Sequence, residues 1–406
     1  MLSYILYFLI SIILGIILLF LSAFNTKIRN NYYTSYRQIY FLYKVFKIFR
    51  TKKKIILFHA ASAGEYEQIK PILKGVDRTE YFIVQSFTSP SIYKIKHEKN
   101  LYDVKCYHPF DIFWLSYLFF KIIKPHKYIV TRHDIWPGHI LMANYFKIPI
   151  YFINANIHKN SIWYKPSIRF FVRYFFNKIN YFIVPSQYIA NNLKNIVSLN
   201  NQSNIHVIQD TRFNQIVNIK DNNQFYDYIN DPDHVITFGS IDLSDEKFIF
   251  QLLPKIIIQK NIILVPHDVD SKTIQRLEKH LSKMSLQYNK FSVSGLDFSN
   301  KILLVDVLGV LAQLYTLGSY AYVGGGFRRG VHSVLEPAAY GCSIACGPNI
   351  EMLDEAKQLR NVGILRLIDN INDLDLFINQ KTKKHTFMDN ISLVPNEMIN
   401  FLLNND

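Results

Sequence analysis

The run from His59 to Glu65, His-Ala-Ala-Ser-Ala-Gly-Glu, is the stretch of this chain best suited to chemistry. It follows an apolar strand pattern and precedes a helix pattern, and its small residues let another molecule approach the backbone closely. A carboxylate at such a turn is well placed to face a ligand, but it could equally complement the dipole of the helix that begins there. The spacing alone leaves both interpretations of Glu65 open.

A second candidate site is a stretch in which a strand pattern runs into three glycines and then into basic residues. A helix is predicted to begin near His332-Ser333, where free backbone N–H groups would suit a phosphate. Glu336, one turn inside that helix, could accept hydrogen bonds from ribose hydroxyls. The alternative is a turn whose glycines only allow close packing. The residues of this turn are Gly324, Gly325, Gly326 and His332.

The elements that would position these residues form two series of apolar runs that alternate with helix-like segments. The predicted buried strands are 55–58, 81–85, 128–130, 150–153 and 181–184, and then 235–238, 262–265, 302–305, 321–323 and 343–345. Two consecutive series of this kind predict an α/β fold of two doubly wound domains. A polar stretch from Asn191 to Asp233 is interpreted as the linker region, and ligands are expected in the cleft between the domains.

The N-terminus has the composition of a membrane anchor. Leu2 to Phe24 is almost wholly apolar and uncharged, and a membrane-spanning helix needs about 20 such residues. It lacks a basic n-region and a good cleavage site, which argues against a removed signal peptide. Nine Lys and Arg residues and no acid follow it up to Lys54, so the positive-inside rule places this side in the cytoplasm.

The basic stretch after the apolar segment indicates an anionic partner, in keeping with a net charge of +15 over 406 residues. Its interleaved aromatic residues suit a membrane interface with anionic lipids, although the same mixture could stack nucleic-acid bases. The adjacent apolar segment favours the membrane over nucleic acid. The three cysteines do not form a disulfide framework, and no structural metal is expected because Cys342 and Cys346 have no further ligand nearby.

In their order and spacing these motifs resemble the family of Kdo transferases, which add 3-deoxy-manno-octulosonic acid to lipid A precursors. The resemblance covers nearly the whole chain. Besides the apolar N-terminus, it rests on 59–65, Pro109 with Asp111, 134–137, 210–213, Gly239-Ser240, Pro266-His267, Asp306 with Gly309, 324–336 and 347–349.

The resemblance implies a GT-B glycosyltransferase with two Rossmann-like domains facing a cleft. It also implies an inner-membrane protein with its catalytic domains on the cytoplasmic side. The expected parts are an anchor at 1–24, an acceptor-binding domain at 25–200, a linker region at 201–232, a CMP-Kdo-binding domain at 233–380 and a helical segment at 381–406. The donor is CMP-Kdo, the acceptor is a lipid A precursor (lipid IVA), and no metal or cofactor is expected.

The family's catalytic carboxylate matches Glu65, and Asp134 is a candidate second carboxylate or, alternatively, a helix cap ahead of Trp136-Pro137. The implied CMP contacts are Pro266, His267, Leu308, Gly309, Val310, Ser333, Val334, Leu335 and Glu336. Several positions depart from the common family pattern, which leaves individual CMP contacts and the number of sugars transferred open. These departures are Arg132, Asn156, His267, Val310 and Ser333.

In the expected mechanism Glu65 takes the proton of a glucosamine hydroxyl as that oxygen attacks the anomeric carbon of Kdo with inversion. The helix N-terminus is expected to lower the pKa of Glu65. Arg212, Arg328 and Arg329 could meet phosphates or form a solvated basic face. The competing hypotheses are a GT-B transferase with another nucleotide sugar and a lipid acceptor, an inactive membrane-anchored binding protein and, more distantly, a nucleic-acid-binding protein.

Overall fold

Two compact units make up the chain in the computed structural model. The structure describes residues 2–48, 52–89, 92–93, 101–132, 134–159, 161–208, 210–211, 216, 223–225, 228, 231–328, 330–351, 353–380, 384–385 and 395–405. Unit 1 consists of Met1–Asn214 with Leu393–Asp406, and unit 2 of Gln215–Ser392. The last segment of the chain therefore belongs with the first half.

Unit 1 contains a parallel sheet of seven strands in the order β3-β2-β1-β4-β5-β6-β7. Its strands are β1 Lys54–Ala60, β2 Tyr81–Phe87, β3 Val104–Tyr107, β4 Lys127–Thr131, β5 Ile150–Ile153, β6 Tyr181–Val184 and β7 Ile205–Val207. The direction of winding reverses between β1 and β4. In doubly wound sheets ligands bind at the carboxyl ends of the strands at this switch point.

Helices cover both faces of this sheet, so its inner strands are buried on both sides and consist of nearly continuous apolar residues. The α-helices of unit 1 are Leu2–Phe24, Thr26–Ile48, Ala63–Gly75, Phe113–Ile123, Pro137–Tyr145, Arg169–Phe176, Gln187–Lys194 and Pro395–Asn404. Its 3-10 helices are Ile162–Tyr164, Pro166–Ile168 and Leu199–Asn204.

The helix Pro395–Asn404 completes one face of unit 1. Its Met398 is fully buried in the same apolar cluster as Ile69 and Leu73 of the helix Ala63–Gly75. The buried Lys127 ammonium closes its end, because it donates to the carbonyl oxygens of Leu402 and Asn405 at 2.8 Å each. This contact satisfies carbonyl groups that a helix end otherwise leaves without a partner.

Unit 2 contains a second parallel sheet of seven strands, in the order β10-β11-β9-β8-β12-β13-β14. Its strands are β8 Val235–Ile241, β9 Asn261–Pro266, β10 Asn289–Lys290, β11 Ile302–Leu304, β12 Tyr320–Val323, β13 Ser343–Cys346 and β14 Leu365–Leu367. Its helices are Pro232–His234 (3-10), Leu243–Gln259, Ser271–Lys283, Phe291–Ser294, Leu311–Leu314, Tyr315–Leu317 (3-10), Leu335–Ala339, Asp354–Asn361 and Ile371–Asn379. The winding reverses between β8 and β12.

The predicted fold class of two doubly wound α/β domains is confirmed, and the ten predicted strands correspond to observed ones. The prediction missed β3, β7, β10 and β14, which are the four edge strands of the two sheets. Edge strands need no continuous apolar run, and charged side chains on them prevent unwanted pairing. Lys105, Lys290 and Arg366 lie in three of them.

Part of the predicted linker region at 201–232 is wrong. It begins with the end of the 3-10 helix Leu199–Asn204 and continues as β7, which pairs with β6 in the sheet of unit 1. The polar composition concealed this strand because its side chains are only partly buried. Most of the stretch after Thr211 lies outside the described residues.

The N-terminal helix Leu2–Phe24 is long and apolar enough to cross a membrane by length and composition, with a mean hydropathy of 2.9 in an 18-residue stretch of Tyr4–Phe24. Most of its large apolar side chains are exposed. The next helix, Thr26–Ile48, has two different faces. Tyr32, Ile39 and Leu42 pack into the core of unit 1. Its described basic residues are exposed on the other side, and they are Arg29, Arg37, Lys44 and Lys47.

Candidate active site

Glu65 lies at the switch point of unit 1, in the first turn of the helix that follows β1. The N–H groups of Ala61 and Ser62 donate to its Oε2 at 2.6 and 3.2 Å, and its own N–H donates to Ser62 Oγ at 3.4 Å. These bonds form a capping box, which confirms the prediction that Glu65 can stabilise the start of this helix. Both accepted bonds end on Oε2, so Oε1 is the oxygen that can take a proton from a substrate.

The expectation that the helix N-terminus lowers the pKa of Glu65 is wrong. The residue is only 6% exposed, and this burial raises its pKa above the ordinary glutamate value. The charge of His59 and the hydrogen bonds from Ala61 and Ser62 lower it without outweighing burial, and the charge of Asp134 raises it further. Burial therefore makes Glu65 a stronger base than a solvated glutamate.

Asp134, in the loop after β4, is held from two sides. Its Oδ2 accepts a hydrogen bond from His59 Nε2 at 2.9 Å and from Thr88 Oγ1 at 2.7 Å. Burial raises the pKa of Asp134, but the hydrogen bonds from His59 and Thr88 and the charge of His59 together bring it below the ordinary value. Asp134 therefore stays ionised where Glu65 is more easily protonated.

The interpretation of Asp134 as a helix cap is wrong. The N-cap residue of the helix Pro137–Tyr145 is Trp136, whose side chain makes no capping bond. Asp111 provides this bond from a distant part of the chain, because its Oδ2 accepts the Gly138 N–H at 2.9 Å. Asp134 therefore does not cap this helix. Of the two carboxylates, Glu65 has the higher proton affinity, which suits a base, and Asp134 has the lower one, which suits a permanent anion.

Behind Asp134, three buried histidines continue the hydrogen-bond network into unit 1. His59 Nδ1 and His108 Nδ1 both lie near Ser86 Oγ, at 3.0 and 3.1 Å, and His108 Nε2 lies 2.8 Å from His139 Nδ1. Burial lowers the pKa of His139 to about 4 and that of His108 well below its ordinary value. The sequence prediction did not single out His108 or His139, because their sequence separation conceals their contact.

An apolar groove of about 570 Å³ lies beside the N-terminal helix in unit 1. One wall is formed by Leu6, Ile10 and Leu14, which recur every fourth residue on that helix, and the other by the helix Arg169–Phe176. Tyr7 and Asp111 lie in the same groove and are hydrogen-bonded to each other. The groove has the volume of a small-molecule site and an apolar lining.

Unit 2 contains a cavity of about 490 Å³ at its own switch point, beside the carboxyl ends of β8, β9 and β12. The rings of His267 and His332 stack in its wall with their centroids 4.1 Å apart. Arg276 and Arg328 also line it, and Glu246 orients Arg276 through a hydrogen bond of 2.8 Å. The cavity also contains the carboxylates of Asp242 and Asp268, so it offers both charged donors and acceptors.

The glycine-rich turn forms one side of this cavity, but the N–H group of Gly325 is not free for a phosphate. Gly325 N–H donates to Asp245 Oδ2 at 3.0 Å, and Tyr322 donates to Asp245 Oδ1 at 2.7 Å. A Cβ atom on Gly324 would lie 2.3 Å from the Ser240 carbonyl oxygen, and Gly325 has a φ of +89°. Close packing thus explains these glycines, as the structural interpretation of this turn expects.

The helix predicted to begin near His332-Ser333 begins at Leu335 and ends at Ala339. The backbone before it is held in place by other bonds: His332 N–H donates to the Gly324 carbonyl and Val331 N–H to the Asn349 carbonyl. These bonds tie residues 331 and 332 to the glycine-rich turn and to Asn349. Glu336 is therefore the second residue of a short helix, and Val334 and Leu335 are buried.

The structure brings together only some of the predicted donor-binding residues. His267, Gly325 and His332 line the cavity, and Pro266 ends the neighbouring strand β9. The other predicted contacts are not among the residues that line it, and they are Leu308, Gly309, Val310, Ser333, Val334, Leu335 and Glu336. Leu308 is 77% exposed in a turn after β11. The assignment of all these residues to donor binding stays a prediction.

Two predicted basic residues, Arg212 and Arg329, lie outside the described residues. Within the described part of the chain, no group of three or more His, Cys, Asp or Glu side chains is arranged to hold a metal ion. Arg276, which no pattern had singled out, lines the cavity of unit 2, and Asp245 holds the glycine-rich turn beside it. Asp245 lies in the first turn of the helix after β8 and Arg276 in the second turn of the helix after β9, so their places close to the carboxyl ends of these strands were the signal that could have found them.

The chain is similar in sequence to a known family of proteins. A family model described as 3-deoxy-D-manno-octulosonic-acid transferase (kdotransferase) matches residues 34–215, which include Glu65 and Asp134. The chain is 25% identical over 315 residues to the 3-deoxy-D-manno-octulosonic acid transferase of Aquifex aeolicus, with 75% of this chain and 79% of that protein covered. It is 25% identical over 332 residues to the Chlamydophila psittaci protein of the same name, with 78% and 74% covered.

Among solved structures, the UDP-GlcNAc 2-epimerase of Neisseria meningitidis bound to UDP-GlcNAc has a similar fold. The TM-score is 0.57 at 15% sequence identity, with 87% of this chain and 100% of that chain covered. At this identity the likeness concerns the fold alone, and it is in accord with two doubly wound units of the GT-B-like type.

Proposed function

Since this chain belongs to the Kdo transferase family, we propose that it transfers Kdo from CMP-Kdo to a lipid A precursor. The single observation that carries the proposal is that Kdo transferases of two bacteria align with about three quarters of this chain. The geometry supports it, because the family-model match includes the two carboxylates whose proton affinities differ.

In the proposed reaction Glu65 is the general base. A hydroxyl oxygen of the acceptor forms a bond to the anomeric carbon of Kdo while the bond from that carbon to the phosphate oxygen of CMP breaks. Glu65 Oε1 takes the hydroxyl proton, CMP leaves with the bonding electrons, and attack from the opposite face inverts the configuration. The raised pKa of Glu65 supports this role, because a base works best when its pKa approaches the working pH.

Unit 2 is proposed to bind CMP-Kdo in its cavity of about 490 Å³. Arg276 and Arg328 would meet the negative charges of the donor, and His267 and His332 would lie beside them. The wall also contains Asp242 and Asp268, which can accept hydrogen bonds from sugar hydroxyls. Positive groups in place before the reaction would stabilise the phosphate charge that grows as CMP leaves.

Unit 1 is proposed to receive the lipid acceptor at a membrane surface. The helix Leu2–Phe24 would anchor the chain, and the exposed basic face of Thr26–Ile48 would meet anionic lipids on the cytoplasmic side of the inner membrane. The apolar groove beside the anchor supports a lipid acceptor, since one of its walls is the anchor itself.

The test is a turnover assay with the purified full chain, CMP-Kdo and a tetra-acylated lipid A precursor in mixed micelles, read as a mass increase of the lipid. We expect transfer by the parent and a loss of about 10²–10⁴-fold in Glu65→Gln, the usual contribution of a general base. CMP binding, measured by calorimetry, should be the same in both proteins.

UDP and a UDP-sugar serve as the matched controls for the donor. Binding of UDP in preference to CMP, with transfer from the UDP-sugar, would replace the proposed donor by another nucleotide sugar. Undiminished transfer by Glu65→Gln would remove Glu65 from the role of base while leaving the transferase activity in place.

A further inference from the structure

We propose that His59 is a positioning residue of the transfer reaction, which holds the Asp134 carboxylate in place and thereby fixes the electrostatic surroundings of Glu65. The inference rests on the proposed function, because it assigns a role in that reaction. His59 is the last residue but one of β1, and its side chain is fully buried. It cannot touch a substrate from there, so it must act through its neighbours.

The first step concerns the ring nitrogen that faces Asp134. His59 Nε2 lies 2.9 Å from Asp134 Oδ2. An ionised carboxylate can only accept hydrogen bonds, so Nε2 must carry a hydrogen. Asp134 is only partly exposed, and the same oxygen also accepts a bond from Thr88, which fixes the direction of the carboxylate.

The second step concerns the other ring nitrogen. His59 Nδ1 lies 3.0 Å from Ser86 Oγ, and that hydroxyl lies 3.2 Å from the carbonyl oxygen of Phe58. A carbonyl oxygen can only accept, so the contact with Phe58 is a donation from the Ser86 hydroxyl, whose oxygen also lies within hydrogen-bond distance of Nδ1. The ring of His59 is therefore held at both nitrogens, which fixes its plane against the Asp134 carboxylate.

The third step concerns the other titratable groups of this region. His108, after β3, stacks on His59 with 3.9 Å between the ring centroids, and His139 follows from the helix Pro137–Tyr145. Burial lowers the pKa of both histidines and raises that of Tyr128 on β4, so all three are neutral near pH 7. Asp111 is engaged with Tyr7 and Gly138.

It follows that His59 sets the proton affinity of the base. Its positive charge lowers the pKa of Glu65 and of Asp134, whereas burial raises that of Glu65. With His59 present, burial still raises the pKa of Glu65 above the ordinary glutamate value. Without His59, the pKa of Glu65 rises further, and the ionised base is lost at a higher pH than in the parent.

The test is the pH dependence of kcat/KM for Kdo transfer in the parent, in His59→Gln and in His139→Gln. His139 is a matched control, because it is buried in the same network but neutral. We expect the acid limb of His59→Gln to move to higher pH, with a fall of the plateau rate on the order of 10²-fold as Asp134 loses its place. In His139→Gln the acid limb should stay where it is in the parent.

If the acid limb of kcat/KM lies at the same pH in His59→Gln as in the parent, the proposal is overturned. A histidine with a merely structural role would change the plateau rate but not the pH at which the rate falls. If His59→Gln does not fold, Ser86→Ala tests the same point, since it removes the hydrogen-bond partner of Nδ1 and should also move the limb to higher pH. An inactive parent would count against the proposed function and this role together, whereas an active parent with unshifted variants would count against His59 alone.

Discussion

The Tyr7 hydroxyl donates a hydrogen bond of 2.7 Å to Asp111 Oδ1, and this bond joins the apolar N-terminal helix to the residue that caps the helix Pro137–Tyr145. The N-terminal helix is therefore packed against unit 1 at a defined position along its length. Ser11 supports the same arrangement, because its Oγ accepts the Phe113 N–H at 3.0 Å.

This arrangement depends on the absence of a side chain at residue 138. A Cβ atom on Gly138 would lie 1.9 Å from the Tyr7 hydroxyl and 2.1 Å from Asp111 Oδ1. We expect Gly138→Ala to lower the free energy of unfolding by about 1–3 kcal/mol, as overpacking usually does. Gly64→Ala is the matched control, since nothing lies within 4 Å of its Cβ position. Denaturant unfolding in detergent measures both, and equal stabilities would contradict the prediction.

Glu65→Gln should be more stable than the parent at neutral pH. Folding raises the pKa of Glu65, so this residue contributes stability only below its unfolded pKa and loses that contribution as the pH rises through the folded value. A glutamine keeps the capping box without the cost of a buried charge. The difference in Tm between the two proteins should therefore grow with pH and vanish in acid. A parent that is the more stable protein at pH 8 would refute this.

Lys127→Met should loosen the helix Pro395–Asn404. The substitution leaves the carbonyls of Leu402 and Asn405 without their charged donor. A hydrogen bond to a charged group contributes about 1.5–3 kcal/mol to the free energy of unfolding. Hydrogen exchange of this helix should accelerate. The control is Lys255→Met, which removes an exposed ion pair to Asp375 and should cost less than about 1 kcal/mol.

Asp245→Asn should weaken the binding of CMP. One oxygen of Asp245 accepts the N–H groups of both Gly325 and Asp242, and an amide nitrogen at that place would oppose them. The other arrangement of the amide would disturb the bond from Tyr322. We expect the Kd for CMP to rise roughly tenfold, the effect of about 1.4 kcal/mol, while Tyr322→Phe, which keeps both backbone bonds, changes it less. Calorimetric titration with CMP distinguishes the two, and an unchanged Kd in Asp245→Asn would reject the role of this carboxylate.

The sequence predicted the inner strands and missed the edges for one physical reason. A strand such as β1 is covered on both faces, so almost every residue from Ile55 to Ala60 is buried and the apolar run is unmistakable. β7, at the edge of the same sheet, has no fully buried residue. Its membership in the sheet depends on pairing with β6, which a single stretch of sequence does not reveal.

The turn that carries Glu65 was predictable from the sequence, but its electrostatics were not. The position of Glu65 at a strand-to-helix turn could be predicted, because the local pattern determines the turn. The direction of its pKa shift could not, because burial by residues distant in the chain outweighs the local helix end. The bond between Gly325 and Asp245 escaped prediction in the same way, since the two residues belong to different βα units.

The placement of the helix Pro395–Asn404 has a consequence for biosynthesis. The apolar surface around Ile69 and Leu73 is translated early, and the helix that covers it emerges only after the whole of unit 2 has left the ribosome. Until then this apolar surface of unit 1 stays exposed to water, so we expect chaperones to bind the nascent chain. A chain cut short by a premature stop would keep that face permanently exposed to water, so unit 1 can close its core only in a chain translated through this helix.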